Sequence, residues 1–244
     1  MVSFTAEQRF IVTGASSGIG EGVALLLNEL GATVIGIGRN QERLEGMKAK
    51  AKHPQNVFLE QKDLAEDISR LPAYVKSLKD KYGKFSGMAY CAGIMPAIPL
   101  RATTYEILSE VFSINVFAPI LMMRGIADKR NNVGAGTSIV FMSSASSVIA
   151  DKGHGVYGGS KAALNTAIRA FAKEVVSLGV RANCILPTNI RTENTPQDYY
   201  DSQVGHYPLG FGKPEDVANM AVFLLSNESK WIAGQTYVMD CASF

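Results

Sequence analysis

The sequence has 244 residues, a formal net charge of +2 and 47% apolar residues, which is typical of a globular protein with a substantial buried core. So small a charge gives no indication of a nucleic-acid partner or of binding to an anionic membrane surface. The three cysteines, Cys91, Cys184 and Cys241, are far apart and lack Cys-x-x-Cys spacing. This pattern argues against a disulfide framework and a zinc site, and it predicts a cytoplasmic protein without a bound metal.

The N-terminus lacks the apolar run of a signal peptide. No stretch approaches about 18 uninterrupted apolar residues, the length that predicts a membrane-spanning helix. We therefore expect neither a signal peptide nor a membrane span.

The first predicted unit is a strand, a glycine turn and a helix. Residues 10–13 are a short apolar run, and the glycine-rich segment 14–20 follows at once. Apolar residues at helical spacing run from Val23 to Leu30, and Gly31 ends the pattern.

Strands and helices then alternate along the rest of the chain. We predict strands at 33–38, 57–60, 87–91, 138–142, 181–186 and 236–239, and helices at 41–52, 68–82, 105–130, 157–178 and from Pro214 onward. The polar stretch 188–208 has no clear periodicity. Alternation of this kind predicts an α/β doubly wound Rossmann fold, with a seven-stranded, mainly parallel sheet covered on both faces, built as one domain over residues 1–244.

In such a sheet, ligands bind beyond the carboxyl ends of the strands. The glycine turn lies at one of these ends, where its amides and the helix dipole can receive a pyrophosphate. A tight packing turn is the alternative, but the flanking strand and helix are the context that a dinucleotide site requires.

The segment after the second strand discriminates between nicotinamide cofactors. An acidic residue there would bind the free ribose hydroxyls, whereas this chain has Arg39 and no acid. A guanidinium suits a phosphate dianion, so we expect NADP(H) in preference to NAD(H). The alternative is a surface arginine at a strand end.

Tyr157 and Lys161 are four residues apart, a spacing that places both on one face of a helix. A neighbouring ammonium stabilises phenolate, so we expect Lys161 to lower the pKa of Tyr157. The alternative is a core-facing tyrosine beside a solvated lysine.

These patterns resemble the short-chain dehydrogenase/reductase family, in its compact single-domain branch, over almost the whole chain. The motif Thr13-Gly14-x-x-x-Gly18-Ile19-Gly20 fits the family's cofactor turn, and Asp63-Leu64 fits its adenine-contact position. The family's catalytic set of Asn, Ser, Tyr and Lys corresponds to Asn115, Ser144, Tyr157 and Lys161. Ser144 is preferred to Ser143 by the family's usual separation between serine and tyrosine.

The resemblance implies which residues contact the cofactor: Gly14, Ser16, Ser17, Gly18, Ile19, Gly20, Arg39, Asp63, Leu64, Ala92, Gly93, Tyr157, Lys161, Pro187, Ile190 and Thr192. It also implies that hydride passes between nicotinamide and a carbonyl carbon while Tyr157 exchanges the proton of the oxygen. Ser144 would hydrogen-bond that oxygen, Lys161 would hold the ribose, and Asn115 would help to hold a relay water.

The chain departs from the family pattern at three places. The Asn-Asn-Ala-Gly after strand four is Tyr90-Cys91-Ala92-Gly93 here, the Pro-Gly after strand six is Pro187-Thr188, and the closing Asp-Gly-Gly is Asp240-Cys241-Ala242. These positions bear on local packing rather than on the catalytic set.

Other candidate residues have weaker support. His154 and His206 are too isolated for a Ser-His-Asp or metal site, although each could border the substrate. Tyr199, Tyr200 and Tyr207 lie in the stretch that resembles the substrate lid, and the alternative is that they pack that loop down. Lys129 and Arg130 could dock an acidic carrier, although cations are favoured at a helix C-terminus in any case.

The substrate class stays open at this point. The segment 208–218 and the closing strand resemble the 3-oxoacyl-acyl-carrier-protein reductase-like group, whose pattern sugar, polyol and steroid enzymes share. A non-catalytic cofactor-binding regulator is a further alternative. The family usually forms tetramers, and a dimer is the alternative; the apolar positions Ile120, Leu121, Met122, Ala167 and Phe171 would serve either an interface or the core.

Overall fold

Seven short apolar strands, which read as nearly continuous hydrophobic runs, form the centre of the molecule. The computed structural model describes residues 2–149, 151–193 and 195–243. The strands are β1 Arg9–Thr13, β2 Thr33–Gly38, β3 Val57–Gln61, β4 Gly87–Tyr90, β5 Thr137–Met142, β6 Val180–Pro187 and β7 Thr236–Met239. The helices are α1 Gly18–Glu29, α2 Gln41–Lys50, α3 Leu71–Tyr82, α4 Tyr105–Phe112, α5 Ala118–Ala127, α6 Ser146–Ile149, α7 Gly155–Val175, α8 Gln197–Gln203 and α9 Pro214–Leu225.

The strand order is β3-β2-β1-β4-β5-β6-β7, and each neighbouring pair is parallel. The predicted doubly wound Rossmann fold is thereby confirmed, with a sheet that is parallel throughout. Strand order reverses between β1 and β4, which leaves a crevice at their carboxyl ends.

Alternate residues along each strand supply the cores of the two faces, as the two-residue period of a strand requires. Ile11 and Ile139 point to the face covered by α3, α5 and α7. Val12 and Val140 point to the opposite face, covered by α1, α2 and α9. Continuous apolar strands are therefore explained by burial on both sides.

The helix predicted over 105–130 is interrupted and shorter. A π-helical turn, Ser113–Phe117, separates α4 from α5, and α5 ends at Ala127. Lys129 and Arg130 therefore lie in the turn beyond the helix, where Arg130 pairs with Asp128 (Nε to Oδ1, 3.0 Å). Both side chains are exposed just beyond the C-terminus of α5, which agrees with the interpretation that these cations are solvated there.

The stretch predicted to be irregular contains α8 and a 3₁₀ turn, Val204–His206. Three tyrosines anchor it: the ring centroids of Tyr199, Tyr200 and Tyr207 lie 6.2, 5.0 and 5.0 Å from that of Phe211. The seven residues of α8 are polar apart from two tyrosines, so they are too few to show an apolar helical period.

Other helices also differ from their predicted bounds, and α2, predicted over 41–52, ends at Lys50. Residues Ile68–Arg70 form a 3₁₀ turn before α3, which then begins with Pro72 in its first turn. The helix that carries Tyr157 begins at Gly155 and ends at Val175, followed by the 3₁₀ turn Val176–Leu178.

Among the described residues, one helical stretch, Tyr105–Ala127, is long and apolar enough to cross a bilayer. It combines α4, the π turn and α5, and its most apolar window has a mean hydropathy of 1.5. The buried core helix of a soluble protein meets the same criterion, and the α5 half packs against α3 and α7.

The apolar positions considered for an interface belong partly to the core. Met122 is fully buried within the cluster formed with α3 and α7. Leu121 and Phe171 are partly buried against the same cluster.

Candidate active site

The parallel register brings the ends of the central strands to one level. Thr13 is opposite Ile37 on β2 and Tyr90 on β4. The Thr13 Oγ1 accepts hydrogen bonds from Cys91 N–H at 3.0 Å and Ala92 N–H at 3.1 Å. The threonine that precedes the glycine turn thus fixes the loop after β4 beside that turn.

The glycine turn needs its glycines. Gly14 and Gly18 have φ of +65° and +55°, a region that residues with a Cβ rarely adopt. A Cβ at Gly20 would lie 2.2 Å from the Gly14 carbonyl oxygen. The turn and the start of α1 therefore leave no room for a side chain at Gly20. The α1 amides face an open crevice.

That crevice is a cavity of about 550 Å³, within the range of small-molecule sites. It is lined by every predicted cofactor residue except Tyr157, Lys161, Pro187 and Ile190. A cradle that a Cβ would fill, at the N-terminus of a twelve-residue helix, fits a pyrophosphate.

Cations surround the mouth of this cavity. Arg39, Arg43 and Lys62 line it, together with Asp63. Arg39 Nη1 lies 3.8 Å from Asp63 Oδ2, and its side chain is 72% exposed, so this ion pair is loose. Arg39 is free to turn toward a phosphate, and Arg43, in the first turn of α2, supplies a second guanidinium.

Pro187 and Ile190 belong to the wall behind the cavity. Pro187 ends β6 and accepts a hydrogen bond from Ala145 N–H at 3.0 Å. Ile190 packs against Gly212, where a Cβ would lie 2.7 Å from its Cδ1. Thr192 lies over the glycine turn, since a Cβ at Gly18 would contact its Cγ2 at 3.4 Å.

Asn115 lies inside the π turn and is fully buried. Its Oδ1 accepts from Ile94 N–H at 3.1 Å, and its Nδ2 donates to the Ile94 carbonyl at 3.0 Å and to Ser160 Oγ at 3.1 Å. Both amide hydrogens are used, so a relay water could meet this residue only at an oxygen atom. The two hydrogen bonds to Ile94 hold the loop that follows β4.

Lys161 is almost fully buried on α7, and its Nζ donates to the Met142 carbonyl oxygen at 2.9 Å. Burial lowers the pKa of Lys161 to about 8. A Cβ at Gly93 would lie 3.4 Å from this Nζ and 2.9 Å from Asn115 Oδ1. Gly93 therefore lies where the cavity borders the side chains of Asn115 and Lys161.

Tyr157 is buried, and burial raises the pKa of its phenol above the ordinary value, while the Ser144 hydroxyl lowers it. The Lys161 Nζ lies 5.8 Å from the centroid of the Tyr157 ring. The expected lowering of this pKa is wrong for this structure, because burial of the phenol is the larger effect and outweighs the hydrogen bond from Ser144. The Lys161 ammonium is held at the Met142 carbonyl oxygen. Ser143, the alternative serine, instead faces the Lys161 carbonyl oxygen at 3.4 Å.

Sequence reasoning missed Ser160. Its Oγ accepts from Asn115 and donates to the Tyr157 carbonyl oxygen at 2.6 Å, so it links the π turn to the start of α7. Arg43, Cys91 and Glu110 were also missed as cavity residues; of these, Arg43 could have been found from its helical spacing to Asn40.

The departures from the family pattern alter packing, as expected. The Tyr90 hydroxyl donates to the Ile114 carbonyl oxygen at 3.1 Å, which ties β4 to the π turn. Burial raises the pKa of the Cys91 thiol to about 12, so the cavity wall there is neutral. Cys241 and Ala242 both adopt positive φ, and Cys241 Sγ accepts from Leu209 N–H at 3.2 Å.

The remaining candidates border this region. The His154 ring lies edge-on to Tyr157, with centroids 6.3 Å apart. His206 lies in the 3₁₀ turn after α8. The three tyrosines pack on Phe211, which agrees with the interpretation that they hold the loop down.

Comparison with known proteins agrees with this geometry. A family model described as enoyl-(acyl carrier protein) reductase matches residues 14–241. The chain is 30% identical to a 3-oxoacyl-(acyl-carrier-protein) reductase of Thermotoga maritima, over 94% of this chain and 95% of the relative. It is 32% identical to an NAD-dependent glycerol dehydrogenase of Listeria innocua serovar 6a, over 94% and 91%.

A solved structure with similar architecture is a short-chain dehydrogenase from Burkholderia cenocepacia J2315 in complex with NADP. The TM-score is 0.89 at 27% identity, covering 97% of this chain and 98% of that one.

Proposed function

The chain belongs to the short-chain dehydrogenase/reductase family of oxidoreductases, which act on alcohol and carbonyl groups, and we propose that it interconverts a ketone and a secondary alcohol using NADP(H). The observation that carries this proposal is the junction at Gly93. There the nucleotide-sized cavity reaches Asn115 and the Lys161 Nζ, on the helix that also carries Tyr157.

The residues present fit the cofactor. Gly14, Gly18 and Gly20 would hold the pyrophosphate, and the remaining cavity residues would surround the nucleoside. Lys161 would hold the nicotinamide ribose. When bound, NADPH would supply the hydride that reduces the carbonyl carbon.

The proton chemistry belongs to the chain itself. Tyr157 donates a proton to the carbonyl oxygen during reduction and accepts it during oxidation. Ser144 donates a hydrogen bond to the same oxygen and stabilises its developing charge. Its Oγ accepts from Ser146 N–H at 3.1 Å, so the hydroxyl proton, which faces Tyr157 in the absence of substrate, is available to the substrate oxygen when substrate binds.

The preference for NADP(H) rests on Arg39, supported by Arg43 and Lys62 at the same mouth. One relative with a solved structure binds NADP, and another is named as NAD-dependent. Steady-state kinetics with both cofactors test the preference: higher kcat/KM with NAD(H) would refute it.

A 3-oxoacyl thioester is the substrate that we propose first, because the relative from Thermotoga maritima reduces such compounds by name. Sugar, polyol and hydroxysteroid dehydrogenase activities are the second choice, and the glycerol dehydrogenase relative favours the polyol class. A non-catalytic regulator is the third, since cofactor binding alone requires only the glycine turn and cavity.

The decisive experiment is an NADPH-oxidation screen over acetoacetyl thioesters, keto-sugars, steroids and diketones, with the Tyr157→Phe variant as matched control. Turnover by the wild-type protein that the variant loses supports the proposal. Tight cofactor binding without turnover on any class would favour the regulator.

We place the protein in the cytoplasm as a single domain with a substrate loop at about residues 188–208, acting on a small molecule, without a nucleic-acid or membrane partner. All three cysteines are free, in agreement with a reducing compartment. A homotetramer, or a homodimer, would cover apolar surface such as Phe117 on the Asn115 helix and Val238 on the edge strand β7. Light scattering after size exclusion tests this assembly.

A further inference from the structure

Asn165 is a polar residue in the middle of α7, two helical turns after Tyr157 and one turn after Lys161. Its four-residue spacing from Lys161, itself four residues after Tyr157, puts the three side chains on one side of the helix. Asparagine is a poor helix former, because its amide competes for backbone hydrogen bonds. Helix formation therefore does not explain this residue.

The amide contacts the segment that carries Ser144. Asn165 Nδ2 donates to Ser147 Oγ at 2.9 Å, and Ser147 Oγ donates to the Ser144 carbonyl oxygen at 2.6 Å. The Ser147 N–H donates to the same carbonyl at 3.0 Å. Because the Ser147 proton is used on Ser144, its oxygen is left as the acceptor for Asn165, which fixes the orientation of the amide.

The turn that carries Ser144 is held from its other side by β6, through the hydrogen bond from Ala145 N–H to the Pro187 carbonyl. Between these two attachments, the Ser144 hydroxyl faces Tyr157 and lowers the pKa of its phenol. The hydrogen bonds that start at Asn165 therefore end at the backbone carbonyl of the residue whose hydroxyl acts on Tyr157.

The asparagine is itself unfavourable for the stability of α7. Asn165 Oδ1 is buried, and no described residue donates to it. An unsatisfied buried acceptor is unfavourable, in addition to the low helix propensity of asparagine. A residue that opposes local stability in this way is typical of a functional site.

We propose that Asn165 is a positioning residue, which acts through Ser147 to fix the turn that presents the Ser144 hydroxyl to Tyr157 and to the substrate oxygen. The proposal rests on the proposed function, because it assumes that Ser144 and Tyr157 act on a carbonyl oxygen.

The test compares Asn165→Ala and Ser147→Ala with Thr166→Ala, a change at the exposed next residue of α7. We expect Asn165→Ala to lower kcat roughly fivefold, the effect of one lost hydrogen bond, with an unchanged Kd for the cofactor. Its Tm should stay the same or rise, since alanine favours the helix and the unsatisfied acceptor is gone. A purely structural role would instead lower Tm.

The pH profile gives a second readout. A loosened Ser144 stabilises the Tyr157 phenolate of the free enzyme less, so the apparent pKa of the proton-transferring group in kcat/KM should rise. In a Ser144→Ala background, Asn165→Ala should cause no further loss, because both changes act through one hydroxyl. Additive losses, or wild-type kcat in Asn165→Ala, would overturn the proposal.

Amide hydrogen exchange over residues 146–149 gives a readout that does not depend on turnover. Exchange should become faster in Asn165→Ala and Ser147→Ala but not in Thr166→Ala. Wild-type exchange in both variants would refute the positioning role even if no substrate were found. A wild-type protein that reduces no carbonyl would instead count against the proposed function.

Discussion

The Lys161 ammonium donates a 2.9 Å hydrogen bond to the carbonyl oxygen of Met142, the last residue of β5. The ammonium is therefore held at the end of β5, just before the turn that carries Ser144. Burial lowers the pKa of Lys161 to about 8. An amine that titrates near neutral pH inside a protein has consequences for both stability and chemistry.

Lys161→Met should be more stable than the wild type at pH 7, and this advantage should shrink as the pH approaches 10. The folded pKa, about 8, lies below the unfolded value of about 10.4, so the unfolded chain binds more protons between these values. Wild-type stability therefore gains from this group as pH rises through that window, a gain that the variant lacks. Urea unfolding at pH 7 and about pH 10 measures the difference.

The matched control is Lys173→Met, an exposed lysine on the same helix. A stability difference for Lys161→Met that is the same at both pH values would contradict the depressed pKa. The stability advantage of Lys161→Met over the wild type should fall by roughly 3 kcal/mol between the pH at which Lys161 is protonated and the pH at which it is neutral. This figure follows from about 1.4 kcal/mol per pKa unit.

Tyr157→Phe should retain cofactor binding and lose at least about 100-fold in kcat, the usual contribution of a general acid. The ring keeps its packing, so the loss isolates the hydroxyl. Cofactor fluorescence titration and single-turnover kinetics separate the two effects. Turnover within about threefold of wild type would remove Tyr157 from the reaction.

Arg39→Ala should lower kcat/KM for NADPH by roughly 10-fold or more and leave that for NADH nearly unchanged, since one charge-assisted contact to a phosphate is lost. Arg43→Ala should act in the same direction. Lys230→Ala, which removes a distant exposed cation, controls for long-range charge. Equal losses with both cofactors would mean that these arginines bind something other than the 2′-phosphate.

Gly20→Ala should abolish cofactor binding, because its Cβ would lie 2.2 Å from the Gly14 carbonyl oxygen. Gly46→Ala on α2 is the matched control, since a Cβ there meets nothing within 4 Å. We expect the control to raise stability by about 0.5–1 kcal/mol and to bind the cofactor normally. Thermal unfolding with and without NADP⁺ distinguishes the two variants.

The sheet and the glycine turn could be predicted because each depends on a local pattern. Buried parallel strands leave continuous apolar runs, such as 138–142, and the turn at Gly14 requires glycine at particular positions. The α8 helix could not be predicted, because its seven residues are polar apart from two tyrosines and show no apolar period, although those tyrosines pack on Phe211.

The site residues were found by motif, but their chemistry was only partly foreseen. Spacing places Tyr157 and Lys161 on one face of α7, but it does not predict the hydrogen-bond partner of either side chain. The Met142 carbonyl oxygen accepts a hydrogen bond from the Lys161 ammonium, and Ser144 is the group that lowers the pKa of Tyr157. Long-range partners of this kind, like Ser160 for Asn115, follow from the tertiary fold alone.

The π turn at Ser113–Phe117 joins two helical segments, and the residues of the π turn and of α5 contact different parts of the fold. Before α5 begins, Asn115 reaches the loop after β4, and ten residues later Gly125 presses against Val75 of α3, where a Cβ would lie 2.7 Å from the valine Cβ. Each α-helical residue turns the chain by about 100°, so removing one residue from the π turn would rotate everything after it by that amount. A chain shortened there could keep the hydrogen bonds of Asn115 to the loop after β4 or the contact of Gly125 with α3, but not both.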